Sequence, residues 1–181
     1  FEDVRYQPSG CLSRETLLES GLPLPEFDAV QGSALVSAAY QGTSFELSNI
    51  RLSDPAKGAE PVFQGYCLRC RLGFPLPAEL SAEASEDALE LLPDAAAEAL
   101  RRLSELLGGG HVSFPAEDTV CLCVASEREL LAPDRRVTDV AVLRRRFAEE
   151  MGTVTQLIDT LLTLRPDAPG TASADTQALS E

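Results

Sequence analysis

A stretch of twenty residues, 33–52, constrains the fold more than any other part of this sequence. It reads SALVSAAYQGTSFELSNIRL, and two segments rich in Val, Tyr, Phe, Thr and Ile flank Gln41 and Gly42. Glycine adopts the positive φ of a tight turn at no steric cost, so the pattern predicts a β-hairpin. One face of its second strand is mostly apolar and consists of Phe45, Leu47 and Asn49. The other face is mixed and consists of Glu46, Ser48 and Ile50.

Three further segments have the composition of strands. Residues 62–72 read VFQGYCLRCRL, and the segments HVSF and TVCLCVAS form a second predicted pair around PAED. In the last segment Val120, Leu122 and Val124 alternate with Cys121, Cys123 and Ala125, so neither face is polar. Such a strand belongs in the interior of a sheet, with cover on both faces.

Two short helices are predicted from their start and stop signals. The first, near residues 14–20, starts after Ser13, a good N-cap residue, and stops at Gly21. The second starts at Asp94, spans about 14 residues and stops at Gly108-Gly109-Gly110. Its predicted apolar stripe consists of Ala95, Ala99, Leu103, Leu106 and Leu107.

A third, longer helix is predicted over residues 138–164. Apolar residues recur there at spacings of three and four: Val140, Leu143, Phe147, Met151, Val154, Ile158 and Leu161. A stripe of this kind usually packs on the sheet of its own domain. The alternative is a coiled coil or partner surface, which would make the chain a homo-oligomer through this helix, because the opposite face is only weakly charged.

Together these elements predict an α+β fold. We expect an antiparallel sheet of about five strands, covered on one face by the 94–107 helix and the long C-terminal helix. Residues 1–164 form a single predicted domain, long enough to bury a core, and residues 165–181 form a predicted disordered tail because they are small, polar and broken by proline.

The charge of the chain limits its partners. With 15 Lys and Arg against 29 Asp and Glu, the formal charge is −14, which repels nucleic acid and anionic lipid. The basic run Arg144–Arg146 is followed by Glu149 and Glu150, which predicts i,i+4 pairs on a solvated helix face; an anion site is the alternative. No run approaches the ~20 apolar residues of a membrane span, so any anchor is expected upstream of Phe1.

The cysteines are the first place to look for chemistry. Cys67 and Cys70 form a C-x-x-C, but on a strand residues three apart point to opposite faces and cannot grip one metal ion. We therefore interpret them as structural. The alternative is a zinc site or cysteine-centred enzyme that uses Cys67, Cys70, Cys121 and Cys123. An odd total of five cysteines favours a reducing, cytosol-facing compartment.

No other catalytic constellation is recognisable. His111 is the single histidine and begins a predicted strand, no G-x-S-x-G elbow presents a serine, and Gly108-Gly109-Gly110 follow a helix instead of opening one. The carboxylates Glu83, Glu86, Asp87 and Glu90 lie in a solvated run. We predict no catalytic residues and no cofactor.

Several blocks, in their order, resemble the bacterial domain-of-unknown-function family 3137. VRYQPSGCLSRETLLESGL is similar to the family's Tyr-x-Pro opening, VQGSALVSAAYQGTSFELSNIRL to its hairpin and VFQGYCLRC to its Phe-x-Gly strand. EDALELLPDAAAEALRRLSELL, VSFPAEDTVCLCVA and VTQLIDTLL resemble its later helix, last strands and last helix. The resemblance covers most of residues 4–162, although Val30-Gln31-Gly32 stands where the family carries an acidic pair.

The resemblance implies transmembrane helices upstream of this region and supplies no activity. We therefore expect a non-enzymatic protein-interaction module, the cytosol-facing soluble domain of a bacterial membrane-associated protein. Its expected partner is another protein, with no nucleic acid bound. A small ligand in the groove between sheet and helices is a further possibility.

Overall fold

The structure, a computed structural model, describes residues 1–76, 94–132 and 139–165. It has the predicted α+β architecture. The elements in chain order are β1 (Glu2–Gln7), α1 (Arg14–Leu18), β2 (Ala29–Tyr40), β3 (Thr43–Ser53), β4 (Phe63–Arg71), α2 (Asp94–Leu107), β5 (His111–Ala116), β6 (Thr119–Ala125) and α3 (Val140–Leu162).

The strands form one antiparallel sheet in the order β1-β2-β3-β4-β6-β5. Within the part of the chain that the structure describes, the sheet has six strands instead of the expected five or so. The missed strand, β1, lies at an edge and all its residues are exposed, so no alternation of buried and exposed residues marked it in the sequence. The prediction of an interior strand is confirmed, because β6 lies between β4 and β5.

The predicted hairpin is confirmed as β2 and β3. Tyr40 pairs with Thr43, and the two turn residues between them, Gln41 and Gly42, have φ of 50° and 78°. Positive φ at both positions is the signature of a type I′ turn, whose twist matches that of the flanking strands.

The main core lies between one face of the sheet and the two longer helices, as predicted. Leu103 of α2 and Ile158 and Leu161 of α3 are completely buried there. On α2 the buried stripe differs slightly from the expected one, since Leu106 is only partly buried. The sheet contributes Ala34, Val36, Ala38, Phe45, Leu47, Leu68, Cys70, Leu72, Val120 and Leu122 to this core.

The second face of the sheet is also covered in part, which the prediction of cover on one face did not include. Leu12, Leu17 and Phe27, from α1 and its flanking loops, pack on Ile50 and Leu52. The backbone N–H of Leu12 donates to the Ser48 hydroxyl at 3.0 Å. The expected mixed face of the second hairpin strand is therefore largely buried, because a separate segment of chain folds over it.

Helix α1 has the predicted cap, since the Ser13 hydroxyl accepts from the Thr16 N–H at 3.1 Å. The helix ends at Leu18, two residues before the predicted end at residue 20, and Gly21, the predicted stop, has φ of 66°. The Asp139 side chain caps α3 in the same way. The carboxylates at 83–90 and the predicted tail, apart from Arg165, lie outside the described residues.

Candidate functional site

The two halves of α3 have different surroundings although the same apolar period runs through both. In the C-terminal half, Met151, Val154, Ile158 and Leu161 are buried against the sheet and α2. In the N-terminal half, Val140 is 58% exposed and Phe147 is 47% exposed. The prediction that the stripe packs on its own sheet is therefore correct only for the C-terminal half.

The exposed half of α3 forms one side of a groove of about 350 Å³. Tyr6 of β1 and the segment after β6, at Leu131 and Ala132, form the other side. We call this feature the α3 groove; its lining residues are Tyr6, Leu131, Ala132, Val140, Leu143, Arg144, Arg146, Phe147 and Glu150.

The wall opposite α3 is fixed by hydrogen bonds at successive residues. The Asn49 side chain accepts from the Leu130 N–H at 2.8 Å and donates to the Leu130 carbonyl at 2.7 Å. The Tyr6 hydroxyl donates to the Leu131 carbonyl at 3.1 Å, and the Leu131 N–H donates to Glu150 at 2.7 Å. Because both backbone groups of both residues are satisfied, this wall is held in place without a regular element.

Glu150 joins this wall to the helix. Its carboxylate accepts from the Arg128 guanidinium at 2.6 Å and from Arg146 at 2.9 Å, in addition to the Leu131 N–H. Burial raises the pKa of Glu150, but the hydrogen bonds from Arg146, Leu131 and Arg128 outweigh burial and leave the pKa below its usual value. The carboxylate is therefore ionised at neutral pH.

The sequence prediction for this helix segment needs a correction. The i,i+4 pair between Arg146 and Glu150 is present, but Glu150 is buried and does not belong to a solvated face. The reason is non-local, because Arg128 and Leu131 come from the segment after β6 and cover the carboxylate.

The rim of the groove carries positive charge in an otherwise acidic chain. Arg144 lines the groove and is exposed, as is Arg145 next to it. Within residues 1–76, 94–132 and 139–165, neither of these two arginines forms an ion pair. An apolar groove beside unpaired guanidinium groups suits a ligand that is apolar along one side and acidic along the other.

A second hollow, of about 460 Å³, lies on the part of the sheet's second face that α1 leaves open. Its floor includes the small residues Ser37, Ala39 and Ser44, and long charged side chains surround it. Positive and negative groups alternate there, with Arg69 3.7 Å from Glu46. Since the opposite charges lie side by side, the hollow has no dominant sign and resembles a solvated sheet face.

The cysteines behave as the strand period predicts. Cys67 packs with the residues under α1, whereas Cys70 lies in the main core on the other face of the sheet, so the two do point apart. Cys121 and Cys123 are buried on β6. The four thiols of the zinc alternative do not converge, and no group of three or more His, Cys, Asp or Glu in the described part of the chain is arranged to hold a metal ion.

The environment of these thiols also disfavours nucleophilic chemistry at two of them. Burial raises the pKa of Cys70 far above the ordinary thiol value and raises that of Cys121 to about 11. Both thiols are therefore protonated at neutral pH. His111 is exposed at the start of β5, where the sequence placed it.

Sequence reasoning identified Val140, Leu143 and Phe147 as members of a stripe but missed the opposite wall of the groove, formed by Tyr6, Leu131 and Ala132. Asn49 was a usable signal, because an amide on the apolar face of a strand must find partners if it is buried. Tyr6 and Leu131 gave no comparable signal, because their roles depend on chain segments that are far apart in sequence.

Comparison with known proteins gives no counterpart: no family model matches the chain, and no curated protein or solved structure matches it. Within the described residues, none of the helices has the length and apolar content needed to span a bilayer.

Proposed function

We propose that this chain is a non-enzymatic protein-interaction module and that the α3 groove is its docking surface. The single observation that carries the proposal is the exposed apolar stripe on the N-terminal half of α3, with Phe147 and Val140 open to solvent beside a fixed wall. Grouped apolar side chains of this kind commonly mark interaction sites. No step of catalysis is assigned to the groove.

The proposed occupant is a segment of a partner protein that is apolar on one side and acidic on the other. Phe147, Val140 and Tyr6 would contact its apolar side chains, and Arg144 and Arg145 would attract its carboxylates. Since the Glu150 carboxylate already accepts three hydrogen bonds, it offers little to a partner's cations. The groove thus favours acidic over basic segments.

Two other occupants fit the charges less well. A second copy of the chain, bound through a two-fold axis, would use the same surface twice and bring two arginine runs toward one interface. An anionic membrane surface would attract the arginines locally, but the chain as a whole carries a formal charge of −14 and is repelled.

The wider setting, a cytosol-facing domain of a bacterial membrane-associated protein, is proposed from the resemblance of short sequence blocks to family 3137. No family model supports that resemblance. The docking proposal does not depend on it.

A display selection of random peptides tests the docking proposal. We expect selected peptides to combine apolar and acidic residues, to lose binding to Phe147→Asp and to keep binding to Leu18→Asp. Leu18 is a matched control because it is also an exposed apolar residue, at 55%, but lies on α1. Peptides that bind both variants equally would contradict the proposal.

Two further measurements on the same variants separate the alternatives. If the wild-type chain sediments as a dimer and Phe147→Asp sediments as a monomer, the occupant of the groove is a second copy of the chain and not a segment of a partner protein. If the wild-type chain floats with phosphatidylglycerol vesicles and Phe147→Asp does not, the occupant is an anionic membrane surface. We expect the wild-type chain neither to dimerise nor to bind the vesicles.

A further inference from the structure

Cys67 and Cys123 face each other across the two neighbouring interior strands β4 and β6. They are direct partners in the antiparallel register, and both pack in the cluster beneath α1. Both side chains are almost completely buried. This pairing belongs to the sheet's second face and is separate from the α3 groove.

The hydrogen-bond phase of the β4–β6 ladder shows what kind of pair this is. Ser126 N–H donates to the Gln64 carbonyl, and Leu72 N–H donates to the Asp118 carbonyl, so 64 with 126 and 72 with 118 are hydrogen-bonded positions. Hydrogen-bonded and non-hydrogen-bonded pairs alternate along an antiparallel ladder. Counting inward from either end makes Cys67 and Cys123 a non-hydrogen-bonded pair.

Non-hydrogen-bonded pairs have the closer side chains, with Cα atoms about 4.5 Å apart. A disulfide needs a Cα separation of roughly 4.4–6.8 Å, so this pair lies at the short end of the permitted range. Disulfides at such limits are strained and more easily reduced. The position therefore suits a bond that forms and is reduced again.

We infer that Cys67 and Cys123 form a dithiol site that a peroxide converts into a cross-strand disulfide and that a thiol reductant restores by thiol–disulfide exchange. One of the two sulfurs attacks one oxygen of hydrogen peroxide, the proton of that thiol goes to the departing hydroxide so that water leaves, and a sulfenic acid remains. The sulfur of the other cysteine then attacks the sulfur of the sulfenic acid, its proton goes to the departing hydroxide, and a second water leaves. Two thiols and one peroxide thus give one disulfide and two waters.

The surroundings of the two thiols fit these roles. The neighbouring Cys67 thiol is the main reason that the pKa of Cys123 lies below the ordinary value, although burial opposes this shift. The interaction with Cys123 and burial both raise the pKa of Cys67. The direct interaction of the two thiols fits a pair in which either sulfur can attack the oxidant and the other can resolve the intermediate.

Three other cysteines serve as internal controls. Cys70 lies on the opposite face of the sheet, and Cys121 pairs in register with Arg69 instead of a cysteine. Cys11 is only partly buried and packs at the edge of the same cluster, so it reports the oxidant that reaches this side of the sheet.

The test treats the folded chain with hydrogen peroxide and then alkylates the remaining thiols in denaturant before intact-mass and peptide analysis. We expect the intact mass to show the loss of two hydrogens and of two alkylation sites. Peptide analysis should show the peptides that contain Cys67 and Cys123 joined by a disulfide. Dithiothreitol should restore both sites. Cys70→Ser and Cys121→Ser should form the same link, and Cys67→Ser and Cys123→Ser should not.

A second readout guards against variants that fold poorly. The oxidised wild-type chain should unfold at a higher urea concentration than the reduced chain, because the link closes a long loop in the unfolded state. Oxidation of Cys11 without a 67–123 link would overturn the inference. The inference would also be overturned if disulfides to Cys70 or Cys121 formed in the folded chain as often as they form in the urea-unfolded chain.

Discussion

The N-terminal and C-terminal halves of α3 share one sequence pattern and have opposite environments. Both halves place apolar residues three and four positions apart, yet Ile158 is completely buried and Phe147 is about half exposed. The period of a helix therefore reports that one face is apolar, and it does not report what covers that face. In this chain the sheet and α2 cover one half, and the other half remains open as the α3 groove.

The largest expected effect comes from truncating the buried half. Ile158→Ala removes a side chain from the main core and should lower the free energy of unfolding by about 2–5 kcal/mol. Phe147→Ala, the comparison variant in the exposed half, should change it by less than about 1 kcal/mol although it removes more atoms. Urea unfolding followed by circular dichroism measures both, and equal losses would mean that the halves do not differ.

A second prediction concerns the carboxylate between the two halves. Glu150→Gln weakens three hydrogen bonds to a buried charge and should lower the free energy of unfolding by about 2 kcal/mol at pH 7. Glu149→Gln, at the exposed neighbouring position, should have almost no effect. Urea unfolding of the two variants at equal ionic strength checks this contrast.

The Glu150 effect should also depend on pH in one direction. Since the pKa of Glu150 is lower in the folded chain than its usual value, its contribution is fully present above the ordinary carboxyl pKa. The contribution is lost as the pH falls through the folded value. The stability difference between the wild type and Glu150→Gln should therefore shrink as the pH falls below about 5; a difference that grows on acidification would exclude this account.

A smaller effect is expected at the fixed wall. Asn49→Ala leaves the backbone N–H and carbonyl of Leu130 without their partners, which should cost about 1–2 kcal/mol. The wall should also become mobile, so amide hydrogen exchange at Leu130 and Leu131 should accelerate while exchange in the C-terminal half of α3 does not. Unchanged exchange at both amides would show that Asn49 does not hold the wall.

The fold was predictable where local pattern and tertiary environment agree. The hairpin at Gln41 and Gly42 and the interior position of β6 follow from residue types over short stretches. Strand β1 escaped prediction because an exposed edge strand needs no apolar face. The burial of Glu150 escaped because Arg128 and Leu131 reach it from a separate segment.

The same contrast between local sequence pattern and tertiary environment applies to the cysteines. The strand period placed Cys67 and Cys70 on opposite faces, because it depends only on spacing along one strand. The pairing of Cys67 with Cys123 depends on the register between β4 and β6. That register links residues far apart in sequence, and spacing alone does not specify it.

The most direct measurement of the docking proposal is a charge exchange between the groove and a selected acidic peptide, followed by fluorescence anisotropy. Arg144→Glu should weaken binding about fivefold to tenfold, roughly 1 kcal/mol, and a peptide with one acidic residue changed to lysine should bind this variant better than the original peptide does. If Arg144→Glu binds the original peptide as tightly as wild type, at low and high salt alike, the groove does not select its partner by charge and the account is contradicted.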